Sequence, residues 1–215
     1  MTDITMNRDT QISPDTAPDT AIARRAMIDS QLRTSGVNEE YVLARMLAVP
    51  RENFLPADKA SQAYIDRMVV LGGPGHAGGH LASPLFYGKL LLEAAPAPTD
   101  RVLVVEGGTG YLAELLRPLV AALETASADD AATGKLVPAA PFSLIVVDGA
   151  IERLPEALTA HLAEDGRIVS GLLLRQVTRL AAGRKIGGRV ALQPFEDLGI
   201  PVLHAFAARK GWSFA

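Results

Sequence analysis

Apolar residues recur every three or four positions from Ala21 onward, with Ile28 and Leu32 on one face, until Gly36 interrupts them; this spacing predicts a helix. Asn38 opens a second one. Glu39 and Glu40 fall in its first turn, where the helix dipole favours carboxylates, Val42/Met46 and Leu43/Leu47 form its apolar face, and Pro50 ends it. From Met68 to Ser83 the periodicity disappears, and Gly72, Gly73, Pro74, Gly75, Gly78 and Gly79 predict an extended loop. Loops of that entropic cost often carry function. Ser83-Pro84 reads as a cap followed by a first-turn proline, and Leu85 to Leu92 carries the next helix to an end near Pro96.

The period then shifts. Arg101 to Val105 is a short run rich in β-branched residues, buried on both faces, which leads into Glu106-Gly107-Gly108-Thr109-Gly110-Tyr111 and a helix through Arg117. Two more apolar runs, Leu119 to Leu123 and Phe142 to Val147, predict strands that end at Glu124 and at Asp148-Gly149. Pro155 starts a helix that takes in His161, and Asp165-Gly166 turns the chain into a strand from Arg167. Beyond Gln176, two β-like runs flank Gly187-Gly188, and Ile200 to Phe206 forms a last strand. The alternation predicts an α/β fold: a doubly wound, mostly parallel sheet with antiparallel C-terminal strands and an N-terminal helical extension.

A length of 215 residues fits one generous domain. Residues 1–20, rich in Asp, Thr and Pro, read as a disordered tail; 21–215 reads as a single domain, with 21–95 the helical part and glycine-rich loop and 96–215 the α/β core. Apolar residues at 48% and charged residues at 21% place the chain among globular proteins. A net charge of -3 supplies no basic field for nucleic acid, and the Arg175, Arg179, Arg184, Lys185 and Arg189 group reads as a solvated face. The absence of Cys excludes disulfides and thiolate chemistry. With neither a secretory start nor an apolar run of membrane-spanning length, the expectation is a cytoplasmic monomer without membrane contact.

In such a sheet, ligands lie beyond the carboxyl ends of the strands, where a glycine turn brings backbone amides and a helix N-terminus close to them. Gly108 and Gly110 are placed for that role, Glu124 for accepting ribose hydroxyls, and Asp148 closes the neighbouring strand. His76 and His80 show H-x-x-x-H spacing, but on a glycine loop with nothing nearby to complete a metal site, so no metal is expected.

Met27-Ile28-Asp29-Ser30-Gln31-Leu32-Arg33, Val49 through Pro56 and Ala63-Tyr64-Ile65-Asp66 resemble the N-terminal signature of the protein-L-isoaspartate O-methyltransferases. The resemblance continues through Gly108-Thr109-Gly110-Tyr111, Val120 to Glu124, Pro141 to Gly149, Leu154 to Leu158 and Gly166 to Val169. It implies a Rossmann-like methyltransferase fold, S-adenosylmethionine as cofactor, and methyl transfer to the carboxylate of L-isoaspartyl residues in damaged proteins. Such a carboxylate, with a pKa near ~4, is ionised at neutral pH and needs no general base, so catalysis becomes a matter of alignment.

Several departures from the family pattern fall in the functional parts. Aligned on Gly110-Tyr111, the family's acidic position holds Val104 and its first glycine is Glu106, which can at best replace the missing acid. The hydroxyl positions ahead of Pro84 hold His80 and Ala82, leaving Ser83 one place away as a compensating or merely capping residue. Residues 125–140 read as a linker in place of the family's helix, strand and acidic turn, and Pro118 shortens the preceding helix. Two readings follow. In the first, an enzyme holds S-adenosylmethionine with Glu106, Gly108, Gly110, Glu124 and Asp148 and lines its substrate cleft with Ser83 and His80. In the second, a pseudo-methyltransferase acts as a binding or scaffold protein.

Overall fold

A computed structural model describes residues 17–72, 78–136 and 140–208. The first helix, α1, spans Ala17–Met27 and continues through a wider turn at Ile28–Leu32 and a tighter one at Arg33–Ser35. It therefore begins inside the segment expected to be a tail. Gly36, at φ 82°, ends it in the left-handed conformation that glycine adopts without strain. Helix α2, Glu40–Ala48, buries Val42, Leu43 and Met46. A two-stranded ribbon, β1 (Val69–Val70) with β2 (His80–Leu81), leads to α3, Pro84–Ala94, whose N-cap Ser83 accepts the Phe86 amide at 3.2 Å.

The central sheet is built from β3 (Arg101–Glu106), β4 (Ala122–Ser127), β5 (Phe142–Ile151), β6 (Leu162–Leu174), β7 (Val177–Ile186) and β8 (Arg189–Val190), in the order β4-β3-β5-β6-β7-β8; β9 (Gln193–Asp197) also pairs with β7. The first four strands are parallel, and the ladder turns antiparallel at β7. Strand alternation explains its burial on both faces. Val102, Val104, Leu144 and Val146 pack with Phe86, Leu90 and Leu112, whereas Leu103, Val105, Ile145 and Val147 pack with Ala131 and Leu158. Helices α3 and α4 (Tyr111–Leu116) thus cover one face, and α5 (Ala128–Thr133) and α6 (Glu156–Thr159) the other.

Several elements differ from expectation. Arg117-Pro118-Leu119 forms a tight turn, so β4 starts at Ala122 rather than Leu119 and runs to Ser127. Of the stretch 125–140 expected to be a linker, the described residues 125–136 hold the end of β4 and α5: Ser127 caps α5 by accepting the Asp130 amide, and Gly134, at φ 73°, closes it. Among the described residues no strand pairs with the outer edge of β4. Strand β5 passes Asp148-Gly149 through a bulge and reaches Ile151. Helix α6 is one turn long and leaves His161 behind it. Ile200 to Phe206 is not a strand: only Val202 bridges Ala150, and His204–Phe206 is a tight turn that leaves His204 exposed.

Candidate functional site

Strands β3 and β5 run side by side with Val105 opposite Val147, so the next residues along them are Glu106, which ends β3, and Asp148, which lies at the bulge of β5. Past Glu106 the chain turns through Gly107, Gly108 (φ 110°) and Gly110 (φ 75°) into α4. The Glu106 carboxylate folds into this turn, where Oε2 accepts the Gly110 amide at 3.0 Å while Oε1 is buried without a partner. Burial holds the Glu106 carboxyl above the usual range for a glutamate.

Asp148 is fully buried. Tyr87 donates its hydroxyl to Oδ2 at 3.2 Å, and Oδ1 has no hydrogen-bond partner. Its carboxyl is pushed up to about 7, first by burial and then by the charge of Glu106. His80 joins the site from β2: its Nε2 lies 3.0 Å from the Asp148 carbonyl oxygen and 3.8 Å from Oδ1, and burial lowers its pKa. A neutral imidazole with the proton on Nε2 satisfies that carbonyl.

The ribbon sits directly on part of the turn. A Cβ at Gly108 would come within 2.6 Å of Gly79 Cα, and one at Gly107 within 2.5 Å of His80 Nε2. Only glycine permits this approach. Around Gly110, by contrast, an added Cβ meets nothing within 4 Å, so the turn opens on that side, next to Glu106.

Arg51, within the Val49 to Pro56 run, is a structural residue that its sequence surroundings do not single out. It is completely buried, donates to Ala63 O at 2.7 Å and Ala82 O at 2.6 Å, and lies over the rings of Tyr87 and Tyr111. Ala82 N in turn donates to Tyr87 Oη at 3.2 Å, so Arg51 fixes the backbone that positions the partner of Asp148. An arginine in a family-like run next to a proline gave no sign of burial. Only the fold does.

The structure thus brings His80, Glu106, Gly108, Gly110 and Asp148 together and separates Glu124 from them. Glu124 pairs with Leu103 in mid-strand and forms an ion pair with Arg101, because β4 ends three residues later, at Ser127 beside Glu106. Ser83 caps α3 and borders a cleft of about 420 Å³ lined also by Asp66, Arg67, Thr178 and Ile200. His76 lies outside the described residues. The basic group of the C-terminal hairpin is partly engaged: Arg179 pairs with Asp197, and Lys185 donates to Thr159 O and Leu162 O.

Residues 23–128 match the family model described as protein-L-isoaspartate(D-aspartate) O-methyltransferase. A protein-L-isoaspartate O-methyltransferase of Koribacter versatilis is 34% identical over 200 residues, covering 82% of this chain and 88% of the relative. One of Methylorubrum extorquens is 34% identical over 195 residues, covering 78% and 84%. Among solved structures, a protein-L-isoaspartate O-methyltransferase superposes with a TM-score of 0.66 at 18% identity over 84% of this chain and 65% of its own. A Plasmodium falciparum protein assigned to the same activity, in complex with S-adenosyl-L-homocysteine, does so with a TM-score of 0.63 at 17% identity, covering 84% and 97%. At these identities the structures speak for the fold. The sequence relatives speak for descent, and the chain belongs to the protein-L-isoaspartate(D-aspartate) O-methyltransferase family.

Proposed function

We propose that this protein transfers the methyl group of S-adenosylmethionine to the carboxylate of L-isoaspartyl residues in damaged proteins. The observation that carries the reading, in a chain of this family, is the pair of buried carboxylate oxygens without partners, Glu106 Oε1 and Asp148 Oδ1, beside a turn open at Gly110. Buried acceptors left unpaired cost free energy, and a cationic ligand supplies what they lack. A sulfonium nucleoside with an amino-acid tail carries such charge, so the residues present fit it. Relationship to curated proteins named for this activity favours the enzyme reading over the scaffold one.

When bound, the cofactor supplies an electrophilic methyl group. The remaining work falls to the chain. Glu106 and Asp148 hold the cationic end, Gly108 and Gly110 provide the turn and its open approach, and Arg51 and Tyr87 keep Asp148 in place. The acceptor peptide enters the cleft bordered by Ser83, where Arg67 offers a charge complementary to a carboxylate. The acceptor is already ionised at neutral pH, so His80 serves as a neutral positioning residue through the Asp148 carbonyl and not as a base. Alignment supplies the acceleration.

The reading places this chemistry in a cytoplasmic monomer acting on isoaspartyl-containing proteins or peptides, independent of nucleic acid and membranes. It is supported by the small net charge, and among the described residues no helix is long and apolar enough to cross a membrane. Equilibrium dialysis with labelled S-adenosylmethionine tests the donor half: saturable binding in the micromolar range is expected, and no binding at millimolar cofactor contradicts it.

A further inference from the structure

We propose that Glu106 and Asp148 form a proton-exchanging cation site, in which the two carboxyls share one proton in the free protein and release it when a cationic methyl donor binds. This inference rests on the reading of the glycine turn as the donor site, and it adds how that site is governed.

The geometry carries it. The two acids follow the paired residues Val105 and Val147 on adjacent parallel strands, each with one buried oxygen that accepts no hydrogen bond, although the Gly107 amide favours the ionised form of Asp148 and His80 Nε2 lies 3.8 Å from its Oδ1. Among the described residues, the charged and titratable groups around them come from every packed element; the two arginines among them favour ionisation, but burial and, for Asp148, the charge of Glu106 oppose it more strongly. His80, from β2, is kept neutral by burial and gives its Nε2 to a backbone carbonyl. Tyr87, from α3, is held as a neutral phenol and donates to Asp148 Oδ2. Arg51, after α2, directs Nε and Nη2 to the carbonyls of Ala63 and Ala82, leaves Nη1 without a hydrogen-bond partner, and through its charge lowers the Asp148 pKa by less than burial and Glu106 raise it. Arg117, after α4, acts on Glu106 and is itself paired with Glu114.

Two ionised carboxylates in so dry a place repel each other, and the pair keeps a proton between them. This agrees with Asp148 being raised to about 7 partly by Glu106. A positive charge brought to the unpartnered oxygens lets both acids ionise. Donor binding therefore expels a proton, and affinity rises with pH until the pair is fully ionised in the free protein.

The test is calorimetric titration of the full chain with S-adenosylmethionine between about pH 5.5 and pH 7, below the ~8 at which a free α-ammonium deprotonates. Repeating it in buffers of different ionisation enthalpy counts the protons released. The expected result is release of a sizeable fraction of one proton per donor bound, with Kd falling severalfold and by at most about tenfold per pH unit. In Glu106→Gln, which removes one of the two charges, both the proton release near pH 7 and the pH slope shrink. Binding with no proton exchange and a Kd unchanged over this range overturns the shared-proton site while leaving the donor site standing; absence of binding at every pH overturns both.

Discussion

Glu106 accepts the backbone N–H of Gly110 at 3.0 Å across the turn that opens α4, and so fills with a carboxylate the place where the family pattern has a glycine. The contact gives the helix start the negative partner that its dipole favours. It also puts a second acid beside Asp148. Replacing Glu106 by Gln removes that charge and keeps the shape. The Asp148 carboxyl then falls from about 7 but stays above its ordinary value, because burial is the larger cause. A carbon-13 titration of the Asp148 side chain in the two proteins checks this.

Asp148 makes stability depend on pH in a direction opposite to that of most carboxylates. Its folded-state pKa of about 7 lies above the ordinary 3.8, so between those values the folded protein binds more protons than the unfolded one. Stability from this group is complete below pH ~4 and declines as pH rises to ~7, by at most about 4 kcal/mol and by less where Glu106 takes part of the proton. Asp148→Asn stays neutral and lacks this slope. Urea unfolding at a series of pH values is expected to show the variant gaining on the natural protein from pH ~4 to ~7, by about 1 kcal/mol or more at the upper end.

Arg51→Ala leaves the buried carbonyls of Ala63 and Ala82 without donors and opens a hole beneath Tyr87 and Tyr111. A loss of about 3–5 kcal/mol is expected, readable as a shift of the denaturation midpoint. Arg51→Lys keeps the charge without the planar fork and is expected to fall between the two.

Gly108→Ala meets two obstacles: a backbone angle of φ 110° that side chains rarely adopt, and Gly79 Cα within 2.6 Å of the new methyl. The neighbour is backbone, so the ribbon must move. A loss of about 2 kcal/mol or more is expected, with faster amide exchange at His80, whose N–H bonds Gly107 O.

The parts of this molecule written in contiguous residues are legible in the sequence. Ser83-Pro84 fixes the start of α3, and the step from Arg101–Val105 into the glycine turn fixes strand, turn and helix. Register is not, because nothing local says that Pro118 delays β4 until Ala122, and with it Glu124 moved from the strand end to a mid-strand pairing with Arg101. The composition of residues 125–140 hid a short helix held by its two caps, Ser127 and Gly134. Least visible was the chain Arg51, Ala82, Tyr87, Asp148, whose members lie on separate elements and meet only once the sheet and α3 have packed.

The central claim is methyl transfer at this turn. Its most direct test is mass spectrometry of an isoaspartyl peptide and its aspartyl isomer, each incubated with the protein and S-adenosylmethionine. A methyl ester on the isoaspartyl peptide alone, greatly reduced in Asp148→Ala, is the predicted result; two unmodified peptides from a folded protein that binds the cofactor contradict it.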